Sequence, residues 1–349
     1  MRWLLLLAGG LAAACGVVSG ISHGNVSETI AGATSTGVNA ATLVNDLNKC
    51  DQMGALAITF DEERTIGGTV ALNWVQLGGG LLVDVPAIPD ASLKTPAQVP
   101  IAPTPRNQLT VYLNVVGKNV AQRSSRPTLQ WTFGVVDSPT VNAFSAPGGY
   151  VFVTRGLLLK VNNEAELAGV LAHEVAHVTH KDAFVIYRQT KIDRCKSVAY
   201  TKAGSKEAGT ALRSYGPGFI QQAIRALDAF NGVLDLDSVA NQALLTLFSD
   251  ELVHRYFESG LGRDQELAAD AAGLELTVAA GYSPRGFVGF VGALPNDGKA
   301  FAHHPPPRDR VVAMNLLLGG NGLEPLSALA VDTSKLPLVP LGNQLAAAR

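Results

Sequence analysis

"LAHEVAHVTH", residues 171–180, sets two histidines four apart with a glutamate directly after the first. On a helix, positions i and i+4 lie one above the other. His173 and His177 would therefore point the same way and could share one ion, with Glu174 beside them in reach of a water there. Two imidazoles and a base are not a complete site. A catalytic zinc takes three protein ligands and keeps a fourth position open. One extended version of this motif would need Gly at 180 and His at 183, but those positions hold His180 and Ala183. His180 itself reaches the same ion poorly from the same helix, and reads as a polar residue near the helix end.

A second helix can supply the third ligand. "ELAAD", residues 266–270, places Glu266 and Asp270 four apart on one face. Glu266 is the candidate ligand. Asp270 is the candidate acceptor for the ring N–H of a ligating imidazole, a partner that metal-bound histidines usually have. Taken alone this is an ordinary amphipathic helix with two solvated acids; the upstream histidine pair reverses that balance. Asp264, Glu258 and Glu251 are weaker alternatives, because none has the paired acid.

The rest of the chain bounds the setting. Its 349 residues are 47% apolar and only 16% charged, which suits an ordered globular protein. A formal charge of -2 leaves no basic footprint, which argues against a nucleic-acid partner. The chain starts "MRWLLLLAGGLAAACGVVSG": one Arg, an apolar run too short for a membrane span, then small residues, the layout of an export signal. "LAAAC" resembles a lipobox, with a signal over 1–14 and Cys15 as the lipidated residue, although Ala12 stands where Leu is usual. Gly16 after the Cys points, by the same resemblance, to the outer membrane. The expectation is an exported, periplasmic protein anchored through Cys15. Cys50 and Cys195 are then candidates for a disulfide in an oxidising compartment.

Residues 15–50 read as a tether, Ser, Thr, Gly and Ala rich from 21 onward; 51–318 as the main domain, with its core at 107–318; and 319–349 as a tail. "FDEERTIGGTVALNWVQLGG" has acids ahead of an apolar stretch, as helix starts prefer. The proline-rich 84–106 reads as an extended linker. Leu109, Leu113, Val116 and Val120 keep helical spacing. "LQWTFGVVD" and "GGYVFVT" read as strands, with "SPTVNAF" as a turn between them. Asn163 is placed to cap the motif helix, with Glu166 three residues on. Residues 203–260 read as mainly helical, and the 263–284 helix stops at Gly281 and Pro284. The fold class is α+β, mainly helical, with a small antiparallel sheet.

Four blocks together resemble the gluzincin metallopeptidase family of the CAAX prenyl protease, HtpX and the BepA-like periplasmic proteases. They are "VNAFSAPGGYVFVTRGLL" (141–158), "NEAELAGVLAHEVAHVTH" (163–180), "RDQELAADAAGLELTVAAGYSP" (263–284) and "HHPPPRDRV" (303–311). The resemblance implies a zincin-like domain holding one Zn2+ on His173, His177 and Glu266, with Glu174 as general base and Asp270 behind a ligand. It implies that His304 and Arg310 stabilise the oxyanion or position substrate, His303 being the alternative to His304. A peptide would lie along the strand from Tyr150 to Thr154 as a sheet edge, at Gly149, Tyr150 and Val151, with Gly148 and Gly149 allowing close approach and Asn142 holding strand or substrate. The implied activity is zinc-dependent endoproteolysis of exported, misfolded proteins. The competing reading is a metal-bound chaperone or binding protein with latent proteolysis.

Overall fold

The computed structural model describes residues 40–84, 104–205, 208, 212–295 and 304–320. The signal and Cys15, residues 85–103 of the proline-rich segment, His303, and the tail beyond 320 lie outside the described residues.

The elements run α1 (Ala40–Ala55), α2 (Phe60–Leu77), α3 (Pro105–Ala121), β1 (Thr132–Val136), β2 (Ala143–Ala146), β3 (Tyr150–Thr154) and α4 (Arg155–Leu158). They continue α5 (Glu164–His180), α6 (Ala183–Lys202), α7 (Pro217–Ala229), α8 (Val239–Ser259), α9 (Arg263–Ala279), α10 (Pro284–Gly292) and α11 (Pro307–Gly320). Two compact units result: Met1–Glu62 with Val185–His254, and Glu63–Phe184 with Arg255–Arg349.

In the first unit, α1 begins inside the stretch read as a tether. Leu43, Cys50 and Met53 are buried on one side of it, a helical spacing diluted in the sequence by Ala, Asn and Asp. Cys50 is disulfide-bonded to Cys195 across 145 residues of sequence, and both are fully buried. A loop that long contributes about 4–5 kcal/mol in the chain-entropy account. Buried Glu62 accepts from the Tyr187 hydroxyl at 2.8 Å and from the Lys191 ammonium at 3.1 Å.

The second unit is organised around α5. Asn163 caps it by accepting from the Glu166 N–H at 3.0 Å, while the Glu166 carboxylate accepts from the Asn162 N–H at 2.8 Å. Nearly every residue from Ala165 to Val178 is buried, which a helix reading "AELAGVLAHEVAHV" can afford only at the centre of a core. α9 crosses it closely at Gly273, where an added Cβ would stand 3.2 Å from the His173 backbone. α3 presents Leu109, Leu113, Val116 and Val120 to the same core, after a Thr104 cap and Pro105 in its first turn.

The sheet corrects two expectations. It is mixed rather than antiparallel: β3 lies in the middle, parallel to β1 and antiparallel to β2. The strand from Tyr150 to Thr154 is therefore not an edge. The stretch read as a turn, 138–144, runs into β2, which takes that place. All four β2 residues are buried, so the strand carries no alternation of apolar and polar residues to announce it. The turn into β3 uses Gly148 and Gly149 at φ 79° and 92°. Glu63 fixes that turn, accepting from the Gly148 N–H at 2.9 Å and from both terminal nitrogens of Arg126 at 2.8 and 2.7 Å.

Candidate metal centre

His173 and His177 sit one turn apart on α5, and α9 brings Glu266 against them. The two Nε2 atoms are 3.1 Å apart. Each stands 3.6 Å from a Glu266 carboxylate oxygen. Bonds of zinc to nitrogen and oxygen of about 2.0–2.1 Å in a tetrahedron require ligand atoms about 3.3 Å apart. The three side chains thus fit such an ion in both chemistry and spacing. The ligand atoms of His173, His177, Glu266 and His304 all lie within 4.8 Å of one another. His304 Nδ1 is 3.4 Å from His173 Nε2 and also contacts Glu266 Oε2.

Each α5 imidazole is held from behind. His173 Nδ1 lies 3.0 Å from Asp270 Oδ1. Arg310, 1% exposed, donates to both Asp270 oxygens at 2.9 and 2.6 Å. His177 Nδ1 is 2.7 Å from Asp182 Oδ2, and Gln265 Nε2 donates to Asp182 Oδ1 at 3.3 Å and to its carbonyl at 3.2 Å. In the neutral imidazoles these contacts favour the ring proton on Nδ1 and direct each Nε2 lone pair at the cluster.

The electrostatics favour a cation. Glu174, Asp182, Glu266 and Asp270 are all buried, and among the described residues Arg310 is the buried guanidinium beside them. Burial and the Arg310 charge both oppose protonation of His173, yet its hydrogen bonds to Asp270 and Glu266 prevail and push its pKa up to about 9. Burial likewise works against ionisation of Glu266 and Asp270. The surrounding histidines hold Glu266, and His173 with Arg310 hold Asp270, well below the usual carboxylate range. The protein alone thus captures a proton where a dication could sit.

Glu174 completes the arrangement. It is 2% exposed, and its Oε1 has no hydrogen-bond partner among the described residues. A buried carboxylate oxygen left so costs roughly 1–3 kcal/mol, which a fold retains where the group has other work. Glu174 opens onto a cleft lined also by Trp74, Asn142, Ala143, Phe144, His177, Tyr256, Leu261, Glu266 and His304.

The sequence-predicted residues divide on this geometry. His173, His177, Glu174, Glu266, Asp270 and His304 come together, and Asn142 lines the cleft. Arg310 does not face the cleft: its guanidinium is taken up by Asp270, so it positions a carboxylate and is not aimed at substrate. Gly149, Tyr150 and Val151 are also away from it. Gly149 makes the turn, Val151 is buried in the central strand, and the Tyr150 ring lies under Arg64. His180 and Asp264 are exposed, and Glu251 pairs with Arg194 in the other unit.

Four residues of the site stand outside any ligand motif in the sequence. Asp182 lies past the end of α5, and Lys181 at φ 61°, a left-handed cap, turns the chain so that Asp182 comes back to His177. Its acid character five residues after His177 was the available hint. Trp74, Phe144 and Tyr256 sit in segments readable only as helix or turn. The Tyr256 hydroxyl stays protonated: burial first, then the charges of Glu174 and Glu266, push its pKa well up.

The profile of "Peptidase family M48" matches residues 107–316, more than half of the chain. Shorter stretches align with curated proteins. The "Mitochondrial metalloendopeptidase OMA1" of Schizosaccharomyces pombe is 46% identical over 68 residues, 20% of each chain. The "Beta-barrel assembly-enhancing protease" of Yersinia pestis is 37% identical over 73 residues, 21% of this chain and 15% of that protein. The "Metalloendopeptidase OMA1, mitochondrial" of Danio rerio is 45% identical over 70 residues, 20% of this chain and 14% of that one. The aligned part thus spans a fifth or less of each of these relatives.

Proposed function

The chain belongs to Peptidase family M48, and from that premise we propose that it is a metal-dependent endopeptidase with zinc as its ion. One observation carries the reading: a buried Glu174 oxygen, unpartnered among the described residues, beside three side chains spaced for a tetrahedral cation.

In this reading His173, His177 and Glu266 hold the ion. At such a site zinc supplies Lewis acidity, lowering the pKa of water toward about 7 and polarising a carbonyl. Glu174 Oε1 takes the proton of the attacking water and later delivers it to the leaving amine. Asp270 and Asp182 keep the imidazoles in register. The peptide lies along β2, the sheet edge, rather than β3. Tyr256, a protonated hydroxyl on the cleft wall, donates to the developing oxyanion in place of Arg310.

The finer setting belongs to the same proposal. The substrates are exported, misfolded proteins, and the chain is periplasmic, lipid-anchored at Cys15 to the outer membrane. The Cys50–Cys195 disulfide supports an oxidising compartment. Among the described residues no helix is long and apolar enough to cross a membrane. A second reading, a latent protease acting mainly as a chaperone, is favoured by His304. It stands among the ligands, where it would fill the position a substrate or water needs.

Metal analysis and a cleavage assay test this together. The purified protein should hold about one zinc per chain, largely lost in Glu266→Ala. Glu174→Gln should keep the zinc and lose at least about 10³-fold in cleavage of an unfolded protein. Equal cleavage by wild type and Glu174→Gln would overturn the mechanism. Zinc retained by Glu266→Ala would overturn the ligand set. A wild type that holds zinc without cleaving, and gains activity in His304→Ala, would establish the latent form.

A further inference from the structure

We propose that the cleft beside Glu174 contains a subsite for one bulky apolar side chain, leucine or phenylalanine, whose wall is Trp74 stacked on Phe144. The inference rests on the peptidase reading and names the substrate class it would take. Phe144 is on the edge strand β2, and Trp74 is on α2. Their rings are 3.9 Å apart at 14°, and Phe144 stacks in turn on Phe152 of the central strand at 5.2 Å. The three rings form a column running from the middle of the sheet outward. Phe152 and Phe144 are buried, while Trp74, at the outer end, is half-buried. Both Trp74 and Phe144 line the cleft that Glu174 opens onto, and Leu261 extends its apolar lining.

The local sequence explains why a tryptophan stands there. Gly67 precedes Trp74 by seven residues, two turns of helix, so the two share a face of α2. A Cβ at Gly67 would lie 1.8 Å from the Pro147 carbonyl oxygen in the turn between β2 and β3. Only glycine lets α2 lie that close to the hairpin. Two turns on, the same face delivers the indole to β2.

The strand geometry brings a substrate side chain to this wall. Thr154 donates its N–H to the Asn142 carbonyl, which fixes the phase of the β2–β3 ladder. Phe144 and Ala146 then bond toward β3, while the backbone of Ala143 and Ser145 points outward. A peptide that pairs with that outward edge is extended, and its alternate side chains fall on the face that carries Phe144 and Trp74. The apolar part of the cleft there is made by Trp74, Ala143, Phe144 and Leu261. Glu174 and Glu266 at its rear disfavour an acidic one. If Trp74 served only to cover the sheet, its replacement would alter stability and leave selectivity where it was.

The test uses the zinc-loaded full chain and two matched peptide series, carrying Leu or Phe against Ala or Asp beside the scissile bond. Wild type should favour Leu and Phe over Ala by about 10- to 100-fold in kcat/KM. Trp74→Ala should bring that ratio close to one, and Trp74→Phe, which keeps a stacked ring, should retain part of it. A second readout needs no turnover. Titration of the Leu peptide into Glu174→Gln protein should shift tryptophan fluorescence, with tighter binding than the Ala peptide, and the shift should vanish when Trp74→Phe is added. If the wild type and His304→Ala both cleave nothing, the peptidase reading fails and the titration still decides the subsite. A Leu-to-Ala ratio unchanged in Trp74→Ala, or equal affinity for the two peptides, overturns it.

Discussion

The two imidazoles of α5 are one turn apart on the same helix, yet they are held in opposite ways. His173 is backed by a charge relay from elsewhere in the chain: Asp270 on α9, itself gripped at both oxygens by Arg310 on α11. His177 is backed locally by Asp182, five residues further on, with Gln265 as the outer donor. The first support is nearly sealed, with Asp270 and Arg310 at 0% and 1% exposure, while Asp182 is at 8% and Gln265 is only partly buried. A carboxylate taken fully out of water needs a fixed counter-charge. One near solvent can make do with an amide. The His173 side therefore couples the site to the stability of the whole unit, and the His177 side tunes the site alone.

The sharpest way to break this contrast is Arg310→Ala. It leaves the Asp270–His173 pair in place but strips a buried carboxylate of its guanidinium, which costs about 3–5 kcal/mol in comparable cases. Thermal or denaturant unfolding of the metal-free protein should register that loss. A change below about 1 kcal/mol would mean that the Asp270 charge is relieved by something other than Arg310.

The next comparison sets Asp270→Asn against Asp182→Asn, read as zinc affinity in a competition with a chelator. Loss of such acceptors costs 10- to 100-fold. Asp270→Asn should fall near about 100-fold, because it also leaves Arg310 buried without its partner, and Asp182→Asn near about 10-fold. Equal losses would show that the outer partners do not matter.

What was legible in the sequence follows the same division. His173, His177, Glu174, Glu266 and Asp270 announce themselves through i, i+4 spacing on two helices, since helical geometry turns spacing into direction. The disposition of Arg310 does not: its residue type suggests a substrate contact, and only the position of Asp270 shows it to be occupied. Asp182 was invisible for a different reason, because its reach depends on a left-handed Lys181, a conformation no residue type there predicts. β2 was lost because a strand buried on both faces has no period to read, and with it went the identity of the sheet edge. The helices, the Asn163 cap and the mainly helical fold class came through because each rests on a local pattern.

Acidity offers a third test. In the metal-free protein the proton on His173 stabilises the fold fully below its ordinary pKa of about 6.5, and that contribution is lost as pH rises through about 9. Asp270 runs the other way: its contribution is present above about pH 4 and is lost as pH falls. On the proposed ligand set zinc and the proton compete for His173, so zinc binding near pH 7.5 should release about one proton through this residue, and affinity should climb up to about tenfold per pH unit until near pH 9. Calorimetry in buffers of different ionisation heat counts the proton. Asp270→Asn, which removes the hydrogen bond that raises the pKa, should reduce the count. A count that does not change would place the proton elsewhere.

The smallest effect belongs to Gln265. Its amide donates to Asp182, while its side-chain oxygen accepts from the Gly262 N–H at 3.0 Å and helps start α9. Alanine would remove both and confuse the two roles. Gln265→Glu keeps the acceptor for Gly262 but turns the donor facing Asp182 into a second carboxylate oxygen. A single partly exposed hydrogen bond has a net worth near the bottom of the 0.5–1.5 kcal/mol range, so zinc affinity should fall by about threefold. Unfolding of the metal-free protein should stay within about 0.5 kcal/mol of wild type. A stability loss as large as that of Arg310→Ala would erase the distinction between the sealed and the open support. A loss of affinity without it would confirm that one histidine is anchored to the fold and the other to its own turn.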